Sequence, residues 1–462
     1  LIGRERIYSL LQVAEQQWRD ANNIAKLAEV FAFRALLDRQ EGKLLSAVTW
    51  ARQALAWLPP EDRTWRNLSL TVVGIGELFG GTLNTARATL LEALGLSELQ
   101  GNTLYARATR GMLSGVSIEQ GELRHACEQL RQIQAEARAQ EDRDDIAHTQ
   151  LALAQILYQW NDLQGAEQAA HEVLEIGEAM QVEEFQSRAT LRLALIEHAR
   201  GQSMQAQQRL IAWLARGQVP TSPFSYQLMR EVQATLARIQ LASGDMAAVE
   251  RWFASSERSG ETLPLLQQRH EMVLQARLLL AQGEIAAAIE KLEGLYASAV
   301  QTGHISFMLE VQVVLVLAYA RQGMHAKARE QLRAALVVTH AEGYLRLFLD
   351  EGEELFDLLR GLVPHLRESA LLVYARHILN AFNQNGTTSQ KAISELPLVE
   401  PLSPQERKVL RLLAAGNSNA AIAHELVVSV NTVRTQVQSI YRKLNVDNRV
   451  EASAIANQFD LM

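Results

Sequence analysis

The sequence predicts an all-α protein: an α-solenoid of about eight helical hairpins, a linker, and a four-helix helix-turn-helix domain. Three observations carry this expectation. A repeat of about forty residues is punctuated by glycine, a polar stretch with prolines follows it, and a run of short capped helices ends the chain. Gly42, Gly81, Gly121, Asn161, Gly201, Gly244, Gly283 and Gly323 succeed one another at intervals of 39, 40, 40, 40, 43, 39 and 40 residues. Five residues after each stands Ala47, Ala86, Ala126, Ala166, Ala206, Val249, Ala288 or Ala328. Apolar helical patterns flank every turn, as in Met272–Leu280 and Ala286–Tyr296, or Val311–Ala320 and Ala326–Val338. The turn residue is Gly or Asn because a left-handed backbone costs these types least. The residue at plus five is small because the two helices of a hairpin touch there. A fixed period of this length predicts a solenoid, since each helix pair buries its apolar face only against its neighbours.

Residues 1–379 are assigned to the solenoid, with helices over 344–379 closing its end, where terminal repeats present a more polar face. Residues 380–401 run Asn380-Ala381-Phe382-Asn383-Gln384-Asn385-Gly386-Thr387-Thr388-Ser389-Gln390 and continue to Pro397 and Pro401, which predicts a flexible linker. Residues 402–462 form the terminal domain. Its first helix opens with a capping box, Ser403-Pro404-Gln405-Glu406, carries Val409, Leu410, Leu412 and Leu413 inward and stops at Gly416. Ser418 caps a second helix bearing Ala420, Ile422, Ala423 and Leu426, and Ser429 caps a third only a few residues later, a helix-turn-helix. Asn448 and Glu451 cap a fourth with Ala452, Ile455, Ala456 and Phe459 on one side.

The third helix, Val430 to Leu444, bears the functional signal. Val430, Val433, Val437, Ile440 and Leu444 share a face and are expected to be buried. Asn431, Thr435, Gln438 and Arg442 lie opposite, with Arg434 and Gln436 on the flanks, and no Asp or Glu occurs from Leu426 to Val446. Amides, hydroxyls and guanidinium without carboxylate suit a major groove, where they pair with base edges.

The run LSPQERKVLRLLAAGNSNAAIAHELVVSVNTVRTQVQSIYRKLNVDNRVEA resembles the LuxR-type DNA-binding domain of bacterial transcription factors. The markers are Leu402-Ser403-Pro404-x-Glu406-x-x-Val409-Leu410, Gly416-x-Ser418-Asn419-x-x-Ile422-Ala423, Ser429-x-x-Thr432-Val433 and Lys443-Leu444. The chain departs from the usual pattern at Arg434 and Gln436, where the family has Lys and His, and at Asn445, where it has Gly. Arg in place of Lys adds a bidentate fork, so the operator sequence does not carry over. By this resemblance and by geometry, Arg434, Thr435, Gln438 and Asn431 are candidates for base contact. Ser418, Asn419, Ser429, Thr432, Arg442 and Lys443 are candidates for phosphate contact, because capped helix starts offer free N–H groups. The alternative role for both serines is capping alone.

The solenoid is TPR-like and resembles the superhelical sensor region of MalT-type regulators. The segments Ala51-Arg52-Gln53-Ala54-Leu55, Leu157-Tyr158-Gln159-Trp160-Asn161-Asp162-Leu163 and Gly343-Tyr344-Leu345-Arg346-Leu347-Phe348-Leu349-Asp350-Glu351-Gly352 carry that resemblance. It implies a signal-sensing transcriptional regulator, an activator, with promoter DNA and RNA polymerase as partners and a dimer or higher assembly on DNA. It also implies an ATP-binding switch upstream, so no cofactor is assigned to these residues. The chain begins with Leu rather than Met, which predicts a fragment. What the solenoid binds, a ligand or a protein, stays open. Trp50, Trp57, Trp65, Trp160, Trp213 and Trp252 fall within repeats, where such residues are expected in the core.

Enzyme chemistry is not indicated. No G-x-x-x-x-G-K-[ST] occurs, and His171-Glu172, His270-Glu271 and His424-Glu425 lack the second His of a zinc-protease helix. The single cysteine, Cys127, excludes an intrachain disulfide and is expected as a small buried apolar residue. No apolar run reaches membrane-spanning length and no secretion signal opens the chain, so a cytoplasmic protein without membrane contact is expected. The net charge is −7, with 45 basic and 52 acidic residues. Residues 400–462 nearly balance, with seven basic residues (Arg407, Lys408, Arg411, Arg434, Arg442, Lys443, Arg449) against six acidic, so the deficit belongs to residues 1–399. Such a distribution weakens non-specific attraction to phosphates. A second function class is a helical scaffold whose terminal helices only dimerise. The acid-free third helix favours the DNA reader.

Overall fold

A computed structural model of the chain describes residues 4–80, 82–216, 223–256, 265–384, 403–414 and 417–444. Every regular element among them is helical. The chain divides into two compact units, Leu1–Val314 and Leu315–Met462. After the helix Arg4–Asp20, eight helix pairs follow in the sequence. They are Ile24–Gln40 with Leu44–Trp57, Arg63–Gly80 with Leu83–Leu99, Thr103–Glu119 with Leu123–Ala139, and Arg143–Gln159 with Leu163–Met180. Then come Glu183–Ala199 with Ser203–Leu214, Pro223–Ala242 with Met246–Ser256, Leu265–Gln282 with Ile285–Thr302, and Ile305–Arg321 with His325–Thr339.

The turn residues behave as the repeat requires. Gly42, Gly121, Gly201, Gly244, Gly283 and Gly323 have φ between 75° and 88°, and Asn161 has φ 62°. Gly81 lies outside the described residues. A second series of left-handed residues joins pairs to one another at Gly101, Glu141, Gln181 and Gly303, and to the helices before and after them at Asn22 and Gly343. The residues at plus five, Ala47 to Ala328, are all buried.

In the first unit the leading helix of each hairpin packs on the leading helix of the next, from Ile24–Gln40 through to Leu265–Gln282. The trailing helices pack on their own hairpin and on the leading helix that follows. The leading helices therefore form the inner layer. Leu265–Gln282 also touches Arg63–Gly80, so the inner layer of the seventh hairpin meets that of the second.

One buried charge in this layer is matched across hairpins. Arg107, 1% exposed, donates to Asp142 and Asp145, and to Gln140 Oε1 at 2.6 Å. Asp142 is itself the N-cap of Arg143–Gln159, accepting from the Asp145 N–H at 3.2 Å. One guanidinium thus ties the third hairpin to the cap of the fourth. Cys127 is buried, and desolvation raises its thiol pKa. The tryptophans mostly meet expectation: Trp50 and Trp65 pack on the Leu27–Phe31 core, Trp213 on Leu210 and Val232, and Trp252 on Val249. Trp57 is the exception, with an exposed ring edge-tilted on Phe31 at 5.4 Å.

In the second unit the helices Arg346–Leu349, Gly352–Leu362 and Ser369–Gln384 share an aromatic core. Phe348 meets Tyr374 at 6.3 Å, Phe356 meets Phe382 at 5.5 Å, and the Tyr374 hydroxyl donates to the Tyr344 carbonyl. The helix includes Asn380–Gln384, the first residues of the segment expected to be linker, because Phe382 is held in this core. The rest of that segment lies outside the described residues, as do Gly416 and the expected fourth helix of the terminal domain.

Candidate nucleic-acid interface

Three helices, Pro404–Ala414, Asn419–Glu425 and Val430–Leu444, pack around Val409, Leu410, Leu413, Ile422, Ala423, Val433, Val437 and Ile440. The short second helix and the third are joined by a tight turn at Leu426–Val428. Val427 in that turn has φ 54° and is 90% exposed, a strained setting for a β-branched residue.

Capping sets where each helix starts. The Ser403 N–H donates to Glu406 Oε2 at 2.6 Å, and the Glu406 N–H donates to Ser403 Oγ at 3.2 Å, a reciprocal capping box. Ser418 Oγ accepts from the Ala421 N–H at 3.2 Å, and Ser429 Oγ from the Thr432 N–H at 3.1 Å. Val430 differs from expectation: it is exposed, because it opens the helix one turn ahead of the buried stripe that starts at Val433.

The side chains proposed for bases stand on the water-facing side. Asn431, Arg434, Thr435 and Gln438 are exposed, and Thr435 Oγ1 donates back to the Asn431 carbonyl at 3.0 Å. Thr432 is exposed beside Ser429, their hydroxyls 2.8 Å apart, and Ser418 is exposed while Asn419 is half-buried. The side chain of Arg442 lies outside the described residues. Gln436, one of the departures from the LuxR-type pattern, is half-buried.

Lys443 has a further partner that the motif did not reveal. Its ammonium lies 2.9 Å from Glu406 Oε2, with 11% of the side chain exposed. Ser439 Oγ donates to Glu406 Oε1 at 2.7 Å. Glu406, 7% exposed, therefore closes the first helix's capping box and brackets the last two turns of the third helix. Burial would raise its carboxyl, but Lys443, the Ser403 N–H and the Ser439 and Ser403 hydroxyls outweigh burial and hold it at about 2. Residues 37 apart in sequence meet here, so no local pattern could signal the contact.

The terminal geometry and the repeat can be set against known proteins. Residues 28–365 match the family model described as the MalT-like TPR region, and residues 400–456 match that of bacterial regulatory proteins of the luxR family. The HTH-type transcriptional regulator MalT of Serratia proteamaculans is 27% identical over 475 residues, covering 98% of this chain and 52% of that protein. The HTH-type transcriptional regulator MalT of Vibrio campbellii is 28% identical over 330 residues, covering 67% of this chain and 36% of that one. A tetratricopeptide repeat protein from Parabacteroides merdae is 18% identical, covers 60% of this chain and 98% of that one, and has a TM-score of 0.36. The chain spans about half the length of the Serratia relative and less of the Vibrio one. With the repeat matched over well more than half its length, the chain belongs to the family of proteins built on a MalT-like TPR region.

Proposed function

We propose that the protein is a sequence-specific DNA-binding transcriptional regulator in which helical repeats and their closing helices over residues 1–384 receive a signal, 385–401 link, and 402–462 read promoter DNA. The observation that carries this reading is the acid-free outer side of Val430–Leu444, where Asn431, Arg434, Thr435 and Gln438 stand exposed. The relatives are transcriptional regulators by name, which supports the same reading. Arg434 and Gln438 are the principal base readers. The N–H groups at the starts capped by Ser418 and Ser429, with Asn419, Thr432 and Arg442, meet phosphates. Lys443 acts through Glu406 as a positioning residue that sets the angle of the reading helix. The partners are promoter DNA, RNA polymerase during activation, a second copy on DNA, and a ligand or protein on the repeats, in the cytoplasm.

Selection of bound sequences from random DNA by the chain tests the proposal, and a defined consensus is expected. Arg434→Ala and Gln438→Ala should each weaken binding to that consensus by about 1–3 kcal/mol and relax the preference at one base position. No enriched sequence, or full binding by the doubly substituted chain, would overturn it.

A further inference from the structure

Five successive leading helices carry a polar titratable or charged side chain at one equivalent place. Thirteen residues ahead of Asn161, Gly201, Gly244, Gly283 and Gly323 stand His148, Arg188, Glu231, His270 and Glu310. From Arg188 onward the sign alternates along the ladder. Arg188 Nη1 lies 3.8 Å from Glu231 Oε2, and its Nε donates to Glu184 Oε1 at 3.0 Å. His270 Nδ1 lies 3.4 Å from Glu310 Oε2 of the next hairpin, and its ring stands edge-on to Phe307 at 5.7 Å. His148 repeats the ring contact on Phe185 at 4.9 Å, but the next rung from it is the cation Arg188, and its own carboxylate neighbour is Asp144 on the same helix at 3.6 Å.

His270 remains about half exposed, so protons reach it from solvent. Its field comes from several hairpins: Glu310 from the eighth, Glu231 from the sixth, and Glu119 at the end of Thr103–Glu119 in the third. Arg238 and Arg277 act on Glu310. The same helix, Leu265–Gln282, is the one that reaches Arg63–Gly80.

We propose that His270 is a proton-dependent clasp on the inner layer of the first unit: as the imidazolium it fastens the seventh hairpin to Glu310 and steadies its contact with the second, and as the neutral ring it lets that closure loosen. Burial lowers the imidazole's pKa, but Glu310, then Glu119 and Glu231, outweigh it, so the folded protein holds the proton more tightly than the unfolded chain. A raised pKa contributes its full stability below the usual 6.5 and loses it as pH rises through the folded value. Glu310, held at about 2, stays ionised throughout that range, so the histidine alone titrates. The clasp does not depend on the DNA-binding reading.

The test uses the full chain with spin labels on Arg63→Cys and Ala281→Cys, both exposed sites; native Cys127 is buried and resists labelling. Between pH 6 and 8.5 the inter-label distance should shift outward and broaden, and His148→Gln should leave that response intact. His270→Gln and Glu310→Gln should give the open distribution at every pH, with helical circular dichroism unchanged. A pH response that survives His270→Gln, or its absence from the unsubstituted chain, overturns the proposal.

Discussion

Replacing Glu406 by Gln keeps the shape and one acceptor oxygen but removes the charge that faces Lys443. The carboxyl is held at about 2 against an ordinary value of 4.5. At about 1.4 kcal/mol per pH unit, this displacement corresponds to about 3 kcal/mol of folded-state stabilisation at neutral pH. The group is buried, at 7% exposed, so solvent screening removes little of it. A depressed carboxylate pKa contributes fully above 4.5 and is lost as pH falls towards 2. Glu406→Gln should therefore raise the opening constant of the terminal helices about a hundredfold at pH 7. The difference from the unsubstituted chain should shrink to about half by pH 3. Hydrogen exchange of peptides over 404–414 and 430–444, read by mass spectrometry on the intact chain, measures this. A difference under about 0.5 kcal/mol at pH 7, or one that does not change between pH 7 and 3, would refute the reasoning. Lys443→Met in the Glu406→Gln background should add little, since the pair is already broken.

Val427→Asn and Val427→Gly should each stabilise the terminal helices by about 1 kcal/mol, because φ 54° strains a β-branched residue whose exposed side chain forfeits no packing; the same exchange experiment reads it. Arg107→Met leaves Asp142 and Asp145 without their shared cation and should cost about 3–5 kcal/mol, seen as a lowered melting midpoint of the repeats. At Gly177 a Cβ would sit 2.9 Å from Phe185 Cβ and 3.0 Å from the Gln186 backbone nitrogen, so Gly177→Ala should cost about 1–3 kcal/mol. At Gly111 nothing lies within 4 Å, and Ala there should stabilise the helix by about 0.5–1 kcal/mol in the same melting assay.

The repeat is legible because one turn per hairpin is built on residues chosen for φ alone. Gly42 and its successors announce themselves, and Asn161 substitutes at a site Asn tolerates. The second series is only partly visible: Glu141 and Gln181 hold the same backbone, at φ 54° and 56°, with no compositional sign. There the packing of adjacent hairpins dictates the conformation against local preference. The third helix's stripe is legible from Val433 to Ile440, but periodicity could not tell that Val430 precedes the core. Composition places the linker's start too early for a related reason, since Asn380-Ala381-Phe382-Asn383-Gln384 is polar yet anchored by one Phe on Phe356. Capping boxes were readable as spacing. The Glu406–Lys443 bracket was not, because it joins two helices through space. The charge ladder lay within reach of the repeat register, since aligning the hairpins on their turns brings Arg188, Glu231, His270 and Glu310 into one column.

Under the proposed function, the pairing of Lys443 also bears on how the terminal helices would meet DNA. Each phosphate neutralised by a cation contributes about −0.9 to the slope of log affinity against log salt concentration, whereas N–H groups at helix starts release no counterion. With Lys443 turned to Glu406, Arg434 is the exposed cation described on the proposed surface of the third helix, and the sequence pattern adds Arg442 as a second. A single copy should then show a slope near −2, with affinity resting on base contacts and on cap N–H groups. Binding of that kind is weak at physiological salt, and an acidic repeat region adds no compensating attraction. Tight occupancy therefore requires two or more copies on adjacent sites, and the slope should roughly double when a paired site replaces a single one. Fluorescence anisotropy on single and paired consensus sites across a salt series measures both quantities. A single-site slope steeper than about −5 would mean that cations elsewhere, such as Arg407, Lys408 and Arg411 on the first helix, carry the contact, and the third helix would lose its place as the principal surface.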